Sequence, residues 1–133
     1  LIKTDDFRKY EPVWQHAWYA RKFLEENLPF WEMEPMDQLL TGAATVQGTN
    51  NVAGGQVFAK PGEIYAVYVP VGNQAGNLDL ASAEGNFALR WYDPRRGEFV
   101  GPEKVIAGGK TVPLGLPPRD VAEDWALLIQ RRK

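Results

Sequence analysis

The sequence contains no cysteine and only one histidine, His16. This excludes disulfide scaffolds, thiolate zinc sites, cysteine nucleophiles and a His-rich metal site. The lack of cysteine does not fix the compartment, because secreted bacterial proteins also do without it. Basic charge is not in surplus either. Fifteen Lys and Arg against 17 Asp and Glu leave a net charge of −2, so little counterion release from a phosphate backbone is available and nucleic acid is not an expected partner. No apolar run approaches the roughly 20 residues of a membrane span, and no basic segment followed by an apolar core marks a signal peptide. The first residue is Leu1, not Met, which leaves room for a signal or an upstream domain before it. At 133 residues the chain fits one domain that can bury a sufficient core without a disulfide or a structural metal.

Two textures meet near residue 41. From Asp5 to Asn27 there is no glycine, and Phe7, Tyr10, Trp14, Trp18 and Leu24 recur at helical spacing. This predicts a helix across Thr4–Asn27, with Asp5 or Asp6 as N-cap or with Pro12 at its first turn. The segment Leu28-Pro29-Phe30-Trp31-Glu32-Met33-Glu34-Pro35 breaks that helix with a proline near each end, and Met36–Leu40 reads as one more helical turn. Phe30, Trp31 and Met33 are expected to pack against the domain that follows. After Thr41, short β-rich runs alternate with Gly, Pro and Asn about every ten residues, the texture of an antiparallel sandwich or barrel. Strands are predicted at about 43–47, 55–60, 63–69, 77–81, 86–92, 103–107, 110–113 and 124–131. Ile64–Val69 is apolar throughout, as in a central strand covered on both faces. Leu78, Leu80, Phe87, Leu89, Trp91, Trp125, Leu127 and Ile129 sit at alternating positions and should face the core.

Charge divides at the same place. Residues 1–40 hold five basic and eight acidic side chains, and residues 41–133 hold ten and nine. The acidic segment also carries aromatic surface in excess of what one sheet face covers, so part of it should belong to a neighbouring domain or to a second copy, giving a homodimer of the fragment through the helix. The expected fold is mainly β, an antiparallel β-sandwich preceded by an N-terminal helix. Residues 1–42 would be the terminal helix and connector of an upstream barrel, and residues 43–133 the C-terminal β-sandwich domain.

Few residues suggest chemistry. In Asp93-Pro94-Arg95-Arg96-Gly97, Asp can accept backbone N–H bonds, Pro fixes φ, and Gly can take the positive φ that returns the chain to a strand. A functional reading places Arg90, Tyr92, Asp93, Arg95 and Arg96 as ligand-binding residues, with the last four on an exposed rim. If Glu84-Gly85 makes a two-residue hairpin, Asp79 falls opposite Arg90 as a cross-strand ion pair. Glu32, Glu34 and Asp37 hold carboxylates, but Glu32 and Glu34 lie together on a proline-bounded connector instead of on facing walls of a cleft, as glycoside hydrolysis needs. His16 has no Ser or Asp at triad-like spacing. No phosphate-binding glycine motif and no calcium loop occurs, so no catalytic residue, metal site or cofactor is expected.

The string Arg90-Trp91-Tyr92-Asp93-Pro94-Arg95-Arg96-Gly97-Glu98, preceded by Tyr65-Ala66-Val67-Tyr68-Val69-Pro70 and Leu78-Asp79-Leu80 and followed by Asp124-Trp125-Ala126-Leu127-Leu128, resembles a bacterial C-terminal β-sandwich family labelled a collagen-binding domain. That family follows barrel-type glycoside hydrolases of the apiosidase-like and related groups, and the resemblance covers about residues 43–133. Upstream, Trp14, Phe23-Leu24 and the Pro29–Pro35 segment look like the last barrel helix and connector of such hydrolases. The resemblance implies a noncatalytic accessory domain of a secreted or periplasmic glycoside hydrolase-like protein, which braces the catalytic barrel and holds polysaccharide. The alternative is an adhesion module for collagen or another fibrous protein. By this reading the chain alone is not an enzyme, and its partner is the upstream barrel of the same chain.

Overall fold

A computed structural model describes residues 28–44, 46–47, 52–53 and 55–132. The helix expected over Thr4–Asn27, with Trp14, His16 and Trp18, lies outside the described residues, and so does the dimer contact assigned to it. In order, the strands are β1 (Glu34–Pro35), β2 (Leu40–Thr41), β3 (Val46–Gln47), β4 (Val52–Ala53), β5 (Gln56–Lys60), β6 (Ile64–Val69), β7 (Asn77–Asp79), β8 (Asn86–Asp93), β9 (Glu98–Ala107), β10 (Thr111–Pro113) and β11 (Trp125–Arg131). Every pairing among them is antiparallel. One sheet has the order β1-β5-β6-β11-β8-β9, a second has β10-β7-β2, and β3 pairs with β4. The mainly β, antiparallel class expected from the alternating runs is therefore what the chain adopts.

Alternation decides which side of each strand is inside. Val57, Ala59, Tyr65, Val67, Val69, Phe87, Leu89, Trp91, Trp125, Leu127 and Ile129 from the large sheet meet Leu78, Leu80, Val112 and Leu114 from the small one in a single core. Trp91 and Trp125 stand edge to face at 5.9 Å, and Tyr65 meets Phe87 in the same way at 6.0 Å. Full burial of each such side chain contributes about 1.5–3 kcal/mol, so this layer dominates the stability. The central strands are apolar on their other face as well. There Ile64, Ala66, Tyr92, Ala126 and Leu128 form a second buried cluster with Leu28 and Met33 of the connector.

Turn chemistry sets the register. Lys60-Pro61-Gly62-Glu63 closes β5 onto β6, with the Glu63 N–H donating to the Lys60 carbonyl at 3.0 Å and Gly62 at φ 84°. Proline at the first corner and a positive-φ glycine at the second are what a type II turn demands. The strand predicted at about 103–107 starts earlier, at Glu98, so that the Gly101-Pro102 pair lies inside β9. The β8–β9 register shifts between Leu89↔Lys104 and Trp91↔Val100. Because β9 is an edge strand, the missing proline N–H breaks no ladder on its outer side, and the extra residues bulge.

Two local expectations are corrected. Asp79 does not face Arg90: Asp79 pairs with Thr111 in the small sheet, and Arg90 pairs with Leu128 in the large one. Alternation reports which side of a strand is buried, not which sheet holds it, and β7 and β8 contribute to one core from opposite layers. Glu84-Gly85 belongs to a crossing between the sheets, where the Ala83 N–H donates to the Leu80 carbonyl at 2.9 Å. Trp31 is not buried against the domain; it is 75% exposed, whereas Met33 is buried. The connector makes a 3-10 turn at Phe30–Glu32, closed by the Glu32 N–H on the Pro29 carbonyl at 2.8 Å. With Met33 turned to the sheet, Trp31 two positions earlier faces elsewhere.

Candidate functional site

The residues singled out around the Asp93 turn come together at one end of the large sheet, where β6 and β8 finish and β9 and β11 begin. Asp93 is completely buried. Its Oδ1 accepts the Arg95 N–H at 2.8 Å, and its backbone carbonyl accepts the Gly97 N–H at 2.7 Å. Gly97 sits at φ 69°, so the turn forms as the sequence dictates. The other carboxylate oxygen, Oδ2, accepts from Arg119 Nη2 at 3.0 Å, and the Arg95 Nε lies 3.5 Å from Oδ1. Two arginines therefore neutralise one carboxylate that has no access to water, the condition under which a buried charge is tolerated.

Arg95 extends the cluster. Its Nη1 donates to Asp124 Oδ1 at 2.8 Å and also to the Asp124 carbonyl, and its guanidinium lies 5.0 Å from the Trp125 ring. Asp124 Oδ2 accepts from the Tyr68 hydroxyl at 3.0 Å. Burial, reinforced by the negative charge of Asp124, pushes the Tyr68 phenol well above its ordinary range. The hydrogen bond to Asp93 raises the already high value of Arg119. Arg119 also approaches Glu98 at 3.6 Å and Asp120 at 3.5 Å. The Trp125 Nε1–H donates to the Asp120 carbonyl at 3.1 Å, which holds Asp120 at a φ of 45°. In this way the loop between β10 and β11 is tied to the turn between β8 and β9 by charge and to the core by an indole.

Of the five predicted ligand-binding residues, the structure brings Tyr92, Asp93 and Arg95 inward. Tyr92 is buried edge to face with Phe99 at 5.1 Å, and Arg90 stacks on the Phe99 ring at 3.8 Å. Of the five, only Arg96 is exposed. The exposed polar rim is corrected to a largely buried ion cluster, because the inward-facing end of β8 carries Asp93 beneath the loop instead of above it. Tyr68, Arg119 and Asp124 are the members missed by sequence reasoning. Asp124 stood next to a core tryptophan in a recognised string, which was the available signal; Arg119, in a Pro-rich loop, offered none.

Of the three connector carboxylates, two are held as structure. Glu32 pairs with Lys60 at 3.1 Å, and Asp37 Oδ1 accepts the Val57 N–H at 2.8 Å. Glu34 lies exposed in β1. Among the described residues no group of three or more His, Asp or Glu is placed to hold a metal, and no helix is long and apolar enough to cross a membrane.

No curated protein matches the chain. Among the solved structures that share its fold are two glycoside hydrolases. One is a glycoside hydrolase, at a TM-score of 0.58 and 16% identity over 85% of this chain and 24% of that one. The other is a glycoside hydrolase family 5 protein from Bacteroides vulgatus ATCC 8482, at 0.59 and 17% over 90% of this chain and 24% of its own. The chain thus spans about a quarter of the length of either. Strands β3 to β10 and all but the last residue of β11, the Asp93 turn and the tryptophan after Asp124 fall within residues 42–130, which match a family model, and the chain belongs to that family, described as "Putative collagen-binding domain of a collagenase".

Proposed function

We propose that the chain is a noncatalytic C-terminal accessory domain, a β-sandwich whose work is to brace the catalytic part of a secreted or periplasmic glycoside hydrolase-like protein. The observation that carries this reading is the way the connector is built into the domain. Glu34 and Pro35 add β1 to the edge of the large sheet, and Leu40 and Thr41 add β2 to the small one. The Met36 N–H donates to the Val57 carbonyl at 2.8 Å, and Asp37 accepts from the Val57 N–H. A connector zipped into both sheets transmits orientation to whatever precedes it, which a flexible Gly/Ser linker does not. On this reading the expected division near residue 42 separates a rigid connector from the family's own segment, with the preceding residues belonging to the catalytic part.

Polysaccharide or collagen binding would need aromatic rings presented in line, so that sugars or a rod can lie across them. Trp91 and Trp125 are buried, and Trp31 is the only aromatic among the large apolar residues exposed in the described part of the chain. The ion cluster at the rim likewise uses its charges internally, leaving Arg96 as the one exposed member of the predicted set. These features favour bracing over adhesion. Co-sedimentation of this chain with insoluble polysaccharides and with collagen fibrils tests the choice: no saturable retention is expected. Saturable retention on collagen that is lost in Arg96→Ala would move the function to adhesion.

A further inference from the structure

We propose that the second apolar face of the large sheet is the seat of residues 1–27, so that the brace and the part it holds share one buried layer; the inference rests on the bracing reading for what that segment belongs to. Register shows how this face is built. Phe58 stands opposite Ala66, and Ala66 opposite Leu128, in one row across β5, β6 and β11. The row on one side of it sets Tyr68, Ala126 and Tyr92 next to each other, and the row on the other side sets Ile64, Gln130 and Ala88 next to each other. Residues directly opposite one another point to the same side of a sheet. In an antiparallel sheet with one face on the core, the outer side is commonly solvated and polar. Here Ile64, Ala66, Tyr92, Ala126 and Leu128 are buried on it, so a third layer lies over it.

The connector begins that layer and selects its occupant. Leu28 and Met33 are buried in the same cluster, and two side chains cover only part of a face three strands wide. Residues 1–27 lie outside the described residues and reach the domain at Leu28. Because Leu28 is itself on this face, they are delivered to it at high effective concentration. Their composition fits the seat. Phe7, Tyr10, Trp14 and Trp18 recur at intervals of three and four residues, the spacing that gathers side chains into one apolar stripe. On the sheet, Ala66 and Ala126 are diagonal neighbours on adjacent strands, and their small side chains leave a hollow between larger ones where a ring can settle.

The absence of cysteine makes the test direct. Gln130→Cys places a single thiol at an exposed position of this face, and Thr111→Cys places one at an exposed position of the small sheet; each variant of this chain is labelled with a benzophenone maleimide and irradiated. Proteolysis and mass spectrometry should locate the Gln130→Cys cross-link in a peptide from residues 1–27 and the Thr111→Cys cross-link elsewhere. Adding Trp14→Ala and Trp18→Ala should reduce the yield of the first cross-link several-fold and lower the melting temperature. A Gln130→Cys cross-link that misses residues 1–27 would overturn the proposal, as would an unchanged yield after the two tryptophan substitutions. One that joins two copies of the chain would also overturn it, by giving the face to self-association. Bracing fails separately: a cross-link within residues 1–27, combined with a thermal inactivation rate of the complete gene product that does not change when residues 28–133 are removed, would keep the seat and remove bracing. The reverse pair of results would remove the seat and keep bracing.

Discussion

Removing the Asp93 carboxylate leaves Arg119 and Arg95 facing each other without the anion between them and frees the Arg95 N–H. Deleting one partner of a buried pair costs about 3–5 kcal/mol where the remaining charge is uncompensated; Arg95 keeps Asp124, and Arg119 keeps Glu98 and Asp120, which places Asp93→Ala at or below the low end of that range. Asp93→Ala should therefore lower the urea midpoint, whereas Arg96→Ala, at the exposed next-but-two position, should stay within about 0.5 kcal/mol of wild type. Equal effects in the two variants would mean that the cluster contributes no more than a surface turn. Tyr68 gives the same cluster a pH signature. Its folded value is raised above its ordinary value near 10, so the neutral phenol is favoured by folding. That stability is fully present below about pH 10 and is lost as pH rises toward the folded value. Ultraviolet titration should show the Tyr68 phenol ionising well above the ordinary tyrosine range, and Tyr68→Phe should flatten the alkaline fall in stability. A tyrosine in the Tyr68 position that titrates normally would contradict the Asp124 contact.

The connector and the turns carry the predictions at the scale of elements. Trp31→Ala should change the stability of this chain by no more than about 0.5 kcal/mol, as expected for an exposed side chain, while Met33→Ala, which opens the second buried cluster, should cost about 2–5 kcal/mol. Chemical denaturation of both variants separates a connector held through Met33 from one held through Trp31. Most strands were legible because alternation and turn residues are local signals: the apolar Ile64–Val69 run, the Leu78-Asp79-Leu80 and Phe87–Tyr92 alternations and the Asp93–Gly97 turn all stand where the sequence puts them. What was not legible is non-local. Which sheet receives β7 depends on the crossing at Leu80–Gly85, and no residue pattern distinguishes two strands side by side from two strands face to face across one core. β1 and β2 are two residues long, too short for any period to show. The side of the connector that Trp31 occupies depends on a 3-10 turn instead of an α-turn, a difference that propensity does not encode.

For the molecule as a whole, burial of most described aromatics and internal pairing of Asp93, Asp124, Asp37 and Glu32 leave no assembled nucleophile, acid–base pair or metal set among the described residues. The isolated chain should show no glycosidase or collagenase turnover. Turnover by pure protein that disappears in Glu32→Gln or Glu34→Gln would contradict that, since both carboxylates lie on the connector. The fold was legible at this scale because a family's ordered strings survive in strands that must pair and pack; the ion cluster was legible only in part, since Asp93 and Arg95 lie in such a string and Arg119 does not. Bracing is tested most directly by the rate of thermal inactivation of the complete gene product, measured with residues 28–133 present and with the chain ended before them. If this domain stabilises the catalytic part through a rigid connector, the shortened enzyme should lose activity markedly faster at elevated temperature while keeping its initial rate on a soluble substrate; an unchanged inactivation rate would contradict the bracing function.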